Sequence, residues 1–183
     1  MAFSVSNFRS KGLVSGGARP NLFDVVINKA PGSIAGQVMA PEFKMLCKIA
    51  SIPPSTMGVV EVPYFGRMVK VPGNRTFDNI SVTVINDEDF KLRNGFENWM
   101  DQMNAHVNND SAPPNSILGS MIVTQYGRSG LANPLGGVGG WVFTNMFPVN
   151  LSEIALDWGS NDTIEEFTVD FAYDYWEHAA STT

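Results

Sequence analysis

The final third of the chain contains an alternation of large apolar residues with small or polar ones, and this pattern constrains the fold more than any other. The apolar members are Phe167, Val169, Phe171, Tyr173 and Tyr175, and the residues between them are Thr168, Asp170, Ala172 and Asp174. A period of two is typical of a β-strand that buries one face and leaves the other in solvent. Residues 80–84 repeat the alternation. The chain is therefore predicted to be built on antiparallel β-sheet.

Other segments have the β-branched and aromatic composition of strands. They are residues 22–27, 43–50, 59–62, 65–71, 117–126, 141–147 and 152–158. In the second of these, the alternation places Cys47 on the same face as Phe43, Met45 and Ile49. We therefore expect Cys47 to be a small buried hydrophobe.

Proline, glycine, asparagine and aspartate mark the breaks between the strands. A turn is predicted at 72–74, and a second at 159–162 that joins 152–158 to 163–175 as a hairpin. The stretch 30–41 contains two prolines and two glycines, and we expect an irregular connection there.

One principal helix is predicted to follow Asn86-Asp87-Glu88-Asp89. Its apolar residues form a single stripe, made of Leu92, Phe96, Trp99, Met100 and Met103. We expect the acids of residues 87–89 to lie in its first turn, where they oppose the positive end of the helix dipole. A calcium loop is the alternative for these acids, but its alternating oxygen ligands and central glycine are missing. The helix is expected to end by Asn108.

Length and composition indicate one domain. The chain has 183 residues, of which 44% are hydrophobic, and its 17 glycines and 11 prolines suit a fold with many turns. The prediction is a mainly β fold, an antiparallel β-sandwich or barrel with one flanking α-helix. We divide the chain into an N-terminal arm at 1–18, a β domain at 19–177 and a C-terminal tail at 178–183.

Charge and rare residues disfavour several functions. The net charge of −6 repels nucleic acid rather than binding it. One cysteine and two histidines cannot supply a disulfide framework or a Cys/His zinc site. No secretory signal or membrane-spanning apolar stretch is recognisable, so we expect a soluble chain made in a reducing compartment.

No motif in the sequence points to catalysis. The glycine-rich stretch 136–140 lacks the Lys-Ser/Thr pair and the helix of a phosphate-binding loop. Neither His106 nor His178 lies near a cysteine or serine in a nucleophile motif. We therefore predict no catalytic, metal or cofactor site, and a structural subunit is favoured over a ligand-binding barrel or an enzyme.

Three groups of segments resemble the tail tube proteins of contractile-tailed, T-even-type bacteriophages. They are Arg19-Pro20-Asn21-Leu22-Phe23, then Asn74-Arg75-Thr76-Phe77-Asp78 with Val82-Thr83-Val84-Ile85-Asn86-Asp87-Glu88, and finally Leu156-Asp157-Trp158 with Ser160-Asn161, Phe167 and Asp174-Tyr175-Trp176-Glu177. They occur in the family's order and span most of the chain. The stretch 30–41 and the glycine-rich stretch after Arg128 are longer than in the best-known members.

The resemblance implies a virion protein that forms hexameric rings. The rings stack into a hollow tube inside a contractile sheath, the tube meets baseplate and tail terminator proteins, and DNA passes through without specific binding. The alternative is a baseplate protein that initiates the tube, or the inner tube of a related injection system of the type VI secretion kind. We expect edge strands to pair between copies and close the ring, because unpaired edges are a liability for a monomer.

The candidate site residues fall into two groups. Arg19, Asn21, Arg75 and Asp78 are candidate contacts between subunits; for the last two the alternative is a local ion pair that pins a turn. Asp170 and Asp174 are candidate acidic wall residues, on either the bore or the outer wall. A ring of six copies would carry a charge of about −36 and would repel DNA phosphates within a Debye length of about 8–10 Å.

Overall fold

The structure is a computed structural model, and it describes residues 4–12, 17–127 and 140–179. Its strands are β1 (Phe23–Lys29), β2 (Cys47–Ala50), β3 (Ser55–Tyr64), β4 (Arg67–Phe77), β5 (Ile80–Ile85), β6 (Gly119–Gln125), β7 (Gly140–Leu151), β8 (Glu166–Ala172) and β9 (Tyr175–His178). Its α-helices are α1 (Val5–Asn7), α2 (Ala35–Val38), α3 (Pro41–Leu46), α4 (Lys91–Met103) and α5 (Pro114–Ile117), and a π-helix spans Phe8–Gly12. Every strand pair is antiparallel, which confirms the predicted mainly β class.

Seven of these strands form one sheet, in which β7 changes partner along its length. The order is β1-β6-β7-β8-β5-β2, and β9 pairs with the first half of β7. The second half of β7 pairs with β8. Asn145, which has a positive φ of 56°, lies between the two halves of β7. Strands β1 and β2 end this order and do not pair with each other in the described residues, so the sheet is open.

Helix α4 closes the core against both halves of the sheet. Its residues Leu92, Phe96 and Trp99 are buried, as the stripe predicted, and Phe96 packs edge-on against Phe167 and Phe171. The Trp99 indole donates a hydrogen bond of 2.8 Å to the carbonyl of Ile117. The strand residues in the same core are Val25, Ile27, Ile80, Val82, Val84, Met121, Val123, Phe143, Met146, Phe167, Val169 and Phe171.

A buried carboxylate connects α3 to the sheet. Asp24 Oδ2 accepts hydrogen bonds from Lys44 Nζ at 2.6 Å and from the Tyr126 hydroxyl at 2.5 Å. The hydrogen bond to Asp24 is the main reason that the pKa of Lys44 and the pKa of Tyr126 are both raised. The carboxylate is thus satisfied by partners from α3 and from the residue after β6.

The strand predicted at 43–50 is wrong for its first half. Pro41 occupies the first turn of α3, where its missing N–H costs nothing, and the chain stays helical to Leu46. Phe43 is buried, but Met45 is 83% exposed and Ile49 is exposed, so the four residues do not share a face. Burial of the Cys47 thiol raises its pKa to about 12. The Cys47 side chain is only partly buried and packs against the edge of the core, so it is less enclosed than predicted.

The predicted hairpin near the C-terminus is also wrong. Residues 152–158 form no strand, because Ser152 alone among them shares a backbone hydrogen bond with β8, from its N–H to the Thr168 carbonyl. A turn does form at 157–160, where Ser160 N–H donates to the Asp157 carbonyl. The strand predicted at 163–175 begins at Glu166 and breaks at Tyr173-Asp174, after which β9 continues along β7.

Smaller differences concern helix ends and connections. The acids of residues 87–89 precede α4 rather than lying in its first turn, because the helix starts after Phe90, which has a left-handed backbone. The helix ends at Met103. The connection 30–41 contains α2, and the stretch 128–139 lies outside the described residues. Among the described residues, no helix is long and apolar enough to cross a membrane.

Candidate assembly surfaces

Strands β3 and β4 form a separate two-stranded sheet, called the hairpin below (residues 55–77). Their pairing runs from Ser55 opposite Phe77 at the base to Tyr64 opposite Arg67 at the tip. Neither strand pairs with any other described strand. The turn predicted at 72–74 is therefore wrong, since those residues lie inside β4. Gly58 and Gly73 instead meet across the two strands where the register shifts, and a Cβ on Gly73 would lie 3.2 Å from the Gly58 backbone.

The tip of the hairpin is a two-residue turn with an unusual residue in it. Phe65 and Gly66 both have positive φ, at 43° and 79°, as a tight turn between twisted strands requires. Glycine adopts this conformation freely, but a bulky aromatic residue there is a strained outlier. The Phe65 side chain is 90% exposed, and its described aromatic contact is with the ring of its neighbour Tyr64.

The hairpin is apolar and exposed on both faces. Its exposed large hydrophobic residues are Met57, Val59, Val60, Val62, Tyr64, Phe65, Met68, Val69 and Val71. An isolated two-stranded hairpin is only marginally stable in water, and a large exposed apolar patch marks an interaction site. Among the described residues no other strand pairs with the hairpin, so its apolar faces are open to a partner surface.

Aromatic packing fixes the base of the hairpin to the core. The Phe77 ring lies 6.0 Å from the Tyr173 ring and 6.4 Å from the Trp176 ring. The Tyr173 hydroxyl donates a hydrogen bond of 2.7 Å to the Asp78 carbonyl, and burial raises the pKa of Tyr173 to about 12. These contacts hold the hairpin on the body at the break between β8 and β9.

A second exposed apolar surface lies between β7 and β8, in residues 152–165, called the acidic segment below. Trp158 is fully exposed, and Leu156 and Ile164 are exposed beside it. The Asp157 carboxylate accepts a hydrogen bond of 2.9 Å from Gly159 N–H and so orders the turn that presents Trp158. The segment is held at its C-terminal end by the bond from Asn86 N–H to the Glu165 carbonyl.

The four predicted contact residues do not form one cluster. Arg19 and Asn21 are exposed before β1, where the Arg19 carbonyl accepts from Gln125 Nε2. Arg75 and Asp78 lie at the base of the hairpin, and both are exposed. The described ion pairs do not include one between these two residues, so the alternative of a local ion pair is wrong.

The two predicted wall acids occupy different surroundings. Asp170 lies on the face of β8 opposite the core, and it accepts from Ser81 Oγ and from Asn150 Nδ2, the latter at 2.9 Å. Asp174 is exposed at the break between β8 and β9, where it accepts from Asn145 Nδ2 at 2.7 Å. The face around Asp170 is polar, with Thr83 and Thr168 hydrogen-bonded across the strands.

Comparison with known families decides what kind of protein carries these surfaces. Residues 18–179 match the family model of the phage tail tube protein, which is nearly the whole chain. The chain belongs to the phage tail tube protein family. The tail tube protein gp19 of Enterobacteria phage T4 is 36% identical over 163 residues, covering 87% of this chain and 91% of that protein. Tail tube protein gp19 of Enterobacteria phage T6 is 34% identical over the same shares.

Solved structures of contractile injection systems have the same fold as this tail tube protein. The sheath/tube terminator of the PVC extracellular contractile injection system matches with a TM-score of 0.61 at 17% identity, over 91% of this chain and 99% of that one. The baseplate structure of the anti-feeding prophage matches with a TM-score of 0.58 at 15% identity, over 92% and 99%. The resemblance stated from sequence is therefore confirmed, and the chain is a structural component of a phage tail.

The most prominent surface of this tail tube protein was not predicted from its sequence. The sequence predicts strands at 59–62 and 65–71, separated at Pro63-Tyr64, but these two residues lie inside β3, and the exposure of the strands is not predicted. The signal that could have located the tip is Phe65-Gly66 between two runs of β-branched residues. Trp158 and Leu156 were noted only as family motifs.

Proposed function

We propose that this tail tube protein assembles into hexameric rings that stack into a hollow tube, inside a contractile sheath and between a baseplate and a terminator. DNA passes through the bore during ejection. The observation that carries this proposal is the hairpin, which exposes apolar residues on both faces in a chain of the tail tube family. A monomer with such a surface aggregates unless identical neighbours cover it in a defined geometry.

The proposed contacts within and between rings use different parts of the chain. The free edges of the seven-stranded sheet close the ring by pairing with the edges of neighbouring copies. The hairpin contacts the next ring chiefly through its side chains. Pro63 in β3 and Pro72 in β4 have no N–H to donate, so they interrupt the row of donors that an edge strand would offer.

The proposed bore wall is the polar face of β5 and β8. Alternate residues on the opposite face are fully buried, so this face is turned away from the core. It carries Ser81, Thr83, Thr168 and Asp170, and its neighbour Lys48 is paired with Glu166 at 2.5 Å. A wall of hydroxyls and carboxylates repels phosphates, and the ion pair with Glu166 neutralises the charge of Lys48 beside it.

Electron microscopy of the purified protein tests the proposal. Negatively stained material should show six-fold rings with a central hole and long tubes, and sedimentation should give species in multiples of six chains. A protein that stays monomeric at high concentration, including on isolated baseplates, contradicts the proposal. A protein that forms one ring on a baseplate but never elongates supports the tube-initiating alternative.

A further inference from the structure

The hairpin and the acidic segment carry opposite charges. The hairpin has the cations Arg67, Lys70 and Arg75 against one acid, Glu61. The acidic segment has Glu153, Asp157, Asp162 and Glu165 and contains no Lys, Arg or His. Each surface also exposes large apolar side chains. Surfaces that are apolar at the centre and opposite in charge at the rim are complementary.

The two surfaces lie at opposite ends of the β5–β8 strand pair. The hairpin joins the end where Ile80 pairs with Phe171, through the contact of Phe77 with Tyr173. The acidic segment joins the other end, where Ile85 pairs with Glu166. The two ends are separated by the six residues of β5, which span about 20 Å along the strand. Two complementary surfaces at opposite ends of one molecule fit a head-to-tail contact between copies, which propagates as a stack.

The dimensions of the two surfaces are compatible. The ten residues of β3 give the hairpin a reach of about 30 Å. At its tip, the Tyr64 and Phe65 rings pack edge to face at 4.6 Å. The acidic segment has an open cleft of about 410 Å³, lined by Ile154, Leu156, Trp158 and Ile164 among others. A cavity of about 150 Å³ can hold a benzene ring, so this cleft has room for an aromatic tip.

We infer that the hairpin tip of one copy docks on the acidic segment of the next copy, with Phe65 in the cleft beside Trp158 and with Arg67 and Lys70 facing Asp157 and Asp162. The inference rests on the proposed function, because it names the surface that the hairpin meets in the stack. Docking also accounts for an aromatic residue at a strained, solvent-exposed turn, since the strain is offset only when the ring is buried.

Charge reversal on each surface is the first test. The hairpin variant Arg67→Glu/Lys70→Glu and the segment variant Asp157→Lys/Asp162→Lys should each raise the critical concentration for tube formation about tenfold. The chain with all four substitutions should return to within about threefold of the unchanged protein. Asp110→Lys reverses an exposed charge after the C-terminal end of α4 and is the matched control. It should leave the critical concentration for tube formation unchanged. Lack of recovery in the fourfold variant overturns the inference.

Chemical cross-linking is the second test, and it leaves the docking residues intact. In a Cys47→Ala background, Met68→Cys with Ser160→Cys should give a ladder of covalent multimers when assembled tubes are treated with a short bis-maleimide. Met68→Cys with Val107→Cys is the control, because Val107 is exposed after the far end of α4, and it should give no ladder. A ladder in the control pair alone overturns the inference.

The two proposals fail in different ways. If the unchanged protein forms no tubes, the proposed function fails. If it forms tubes but shows neither charge recovery nor the Met68–Ser160 ladder, only the docking inference fails. A Trp158→Ala variant whose tubes form normally but no longer bind sheath also overturns the inference, since the acidic segment would then serve the sheath.

Discussion

The ring of Phe77, the last residue of β4, lies 6.0 Å from the ring of Tyr173 at the end of β8. This contact joins an exposed hairpin to a buried core, because Tyr173 in turn packs edge to face on Phe143 at 5.0 Å. The hairpin is thereby held in one orientation before it meets a neighbour, which reduces the conformational entropy that assembly must remove.

Replacing Phe77 by alanine should impair assembly more than folding. Two aromatic contacts are lost, so we expect the free energy of unfolding to fall by about 1–2 kcal/mol in urea denaturation. Tube formation should require a much higher protein concentration, because the hairpin is no longer oriented. Phe77→Tyr keeps the ring and is the control. Equal tube yields from the alanine variant and the control contradict this prediction.

Replacing Phe65 by asparagine should separate stability from assembly. Asparagine tolerates positive φ, so the isolated subunit should be as stable as before or more stable by up to about 1 kcal/mol. Tube formation should nevertheless weaken, because the exposed aromatic anchor is lost. Phe65→Tyr retains both the aromatic ring and the strained backbone at residue 65, so this variant protein should form tubes normally. Thermal unfolding measures the stability of the subunit, and light scattering measures tube formation. If Phe65→Asn improves both stability and tube formation, the Phe65 ring has no role in contacts between copies.

Alkaline pH should destabilise the subunit. The pKa values of Tyr173 and Cys47 are raised to about 12 by burial, from 10.0 and 9.0. Above those lower values the unfolded chain loses protons that the folded chain keeps, so the free energy of unfolding falls as pH rises towards 12. In the Tyr173→Phe variant, the free energy of unfolding should fall less steeply with pH above pH 10. In the Cys47→Ser variant, it should fall less steeply above pH 9. Denaturation at a series of pH values measures this, and unchanged slopes contradict it.

Reversing a charge on the proposed bore wall should slow DNA ejection. Asp170→Lys places a cation where phosphates pass, and ejection from virions that carry it should slow several-fold. Asp170→Asn keeps an acceptor for Ser81 and removes only the charge, so it should have a smaller effect. Release of fluorescently stained DNA after triggering gives the rate. Normal ejection by Asp170→Lys virions with intact tubes argues against repulsion by this wall.

Removing residues 1–17 should shorten tubes without unfolding the subunit. The described part of this arm includes exposed side chains at Val5 and Phe8, which contribute nothing to the core. We therefore expect an unchanged unfolding transition, measured by circular dichroism, and shorter tubes by electron microscopy. Tubes of normal length from the trimmed protein rule out a role for the arm in stacking.

The core was predictable because its signals are local. The alternation in 80–84 and the stripe of Leu92, Phe96 and Trp99 identify buried faces directly, and the structure buries them. Where the prediction failed, a longer-range contact decided the outcome. Residues 152–158 carry strand-like side chains, but beyond Ser152 their backbone pairs with no strand among the described residues. The predicted contact residues Arg75 and Asp78 mark the base of the hairpin, whereas its tip at Phe65 was missed.

Where the type of element was predicted correctly, the sequence by itself determined which side chains share a face, because the direction of each side chain follows from the backbone period of its own strand or helix. Only the tertiary structure decided which faces are covered. Val60 and Val82 have the same chemistry, yet Val82 is fully buried and Val60 is 53% exposed. The difference arises because burial depends on elements distant in the chain: β5 lies between β2 and β8, and the hairpin has no such neighbours within the described monomer.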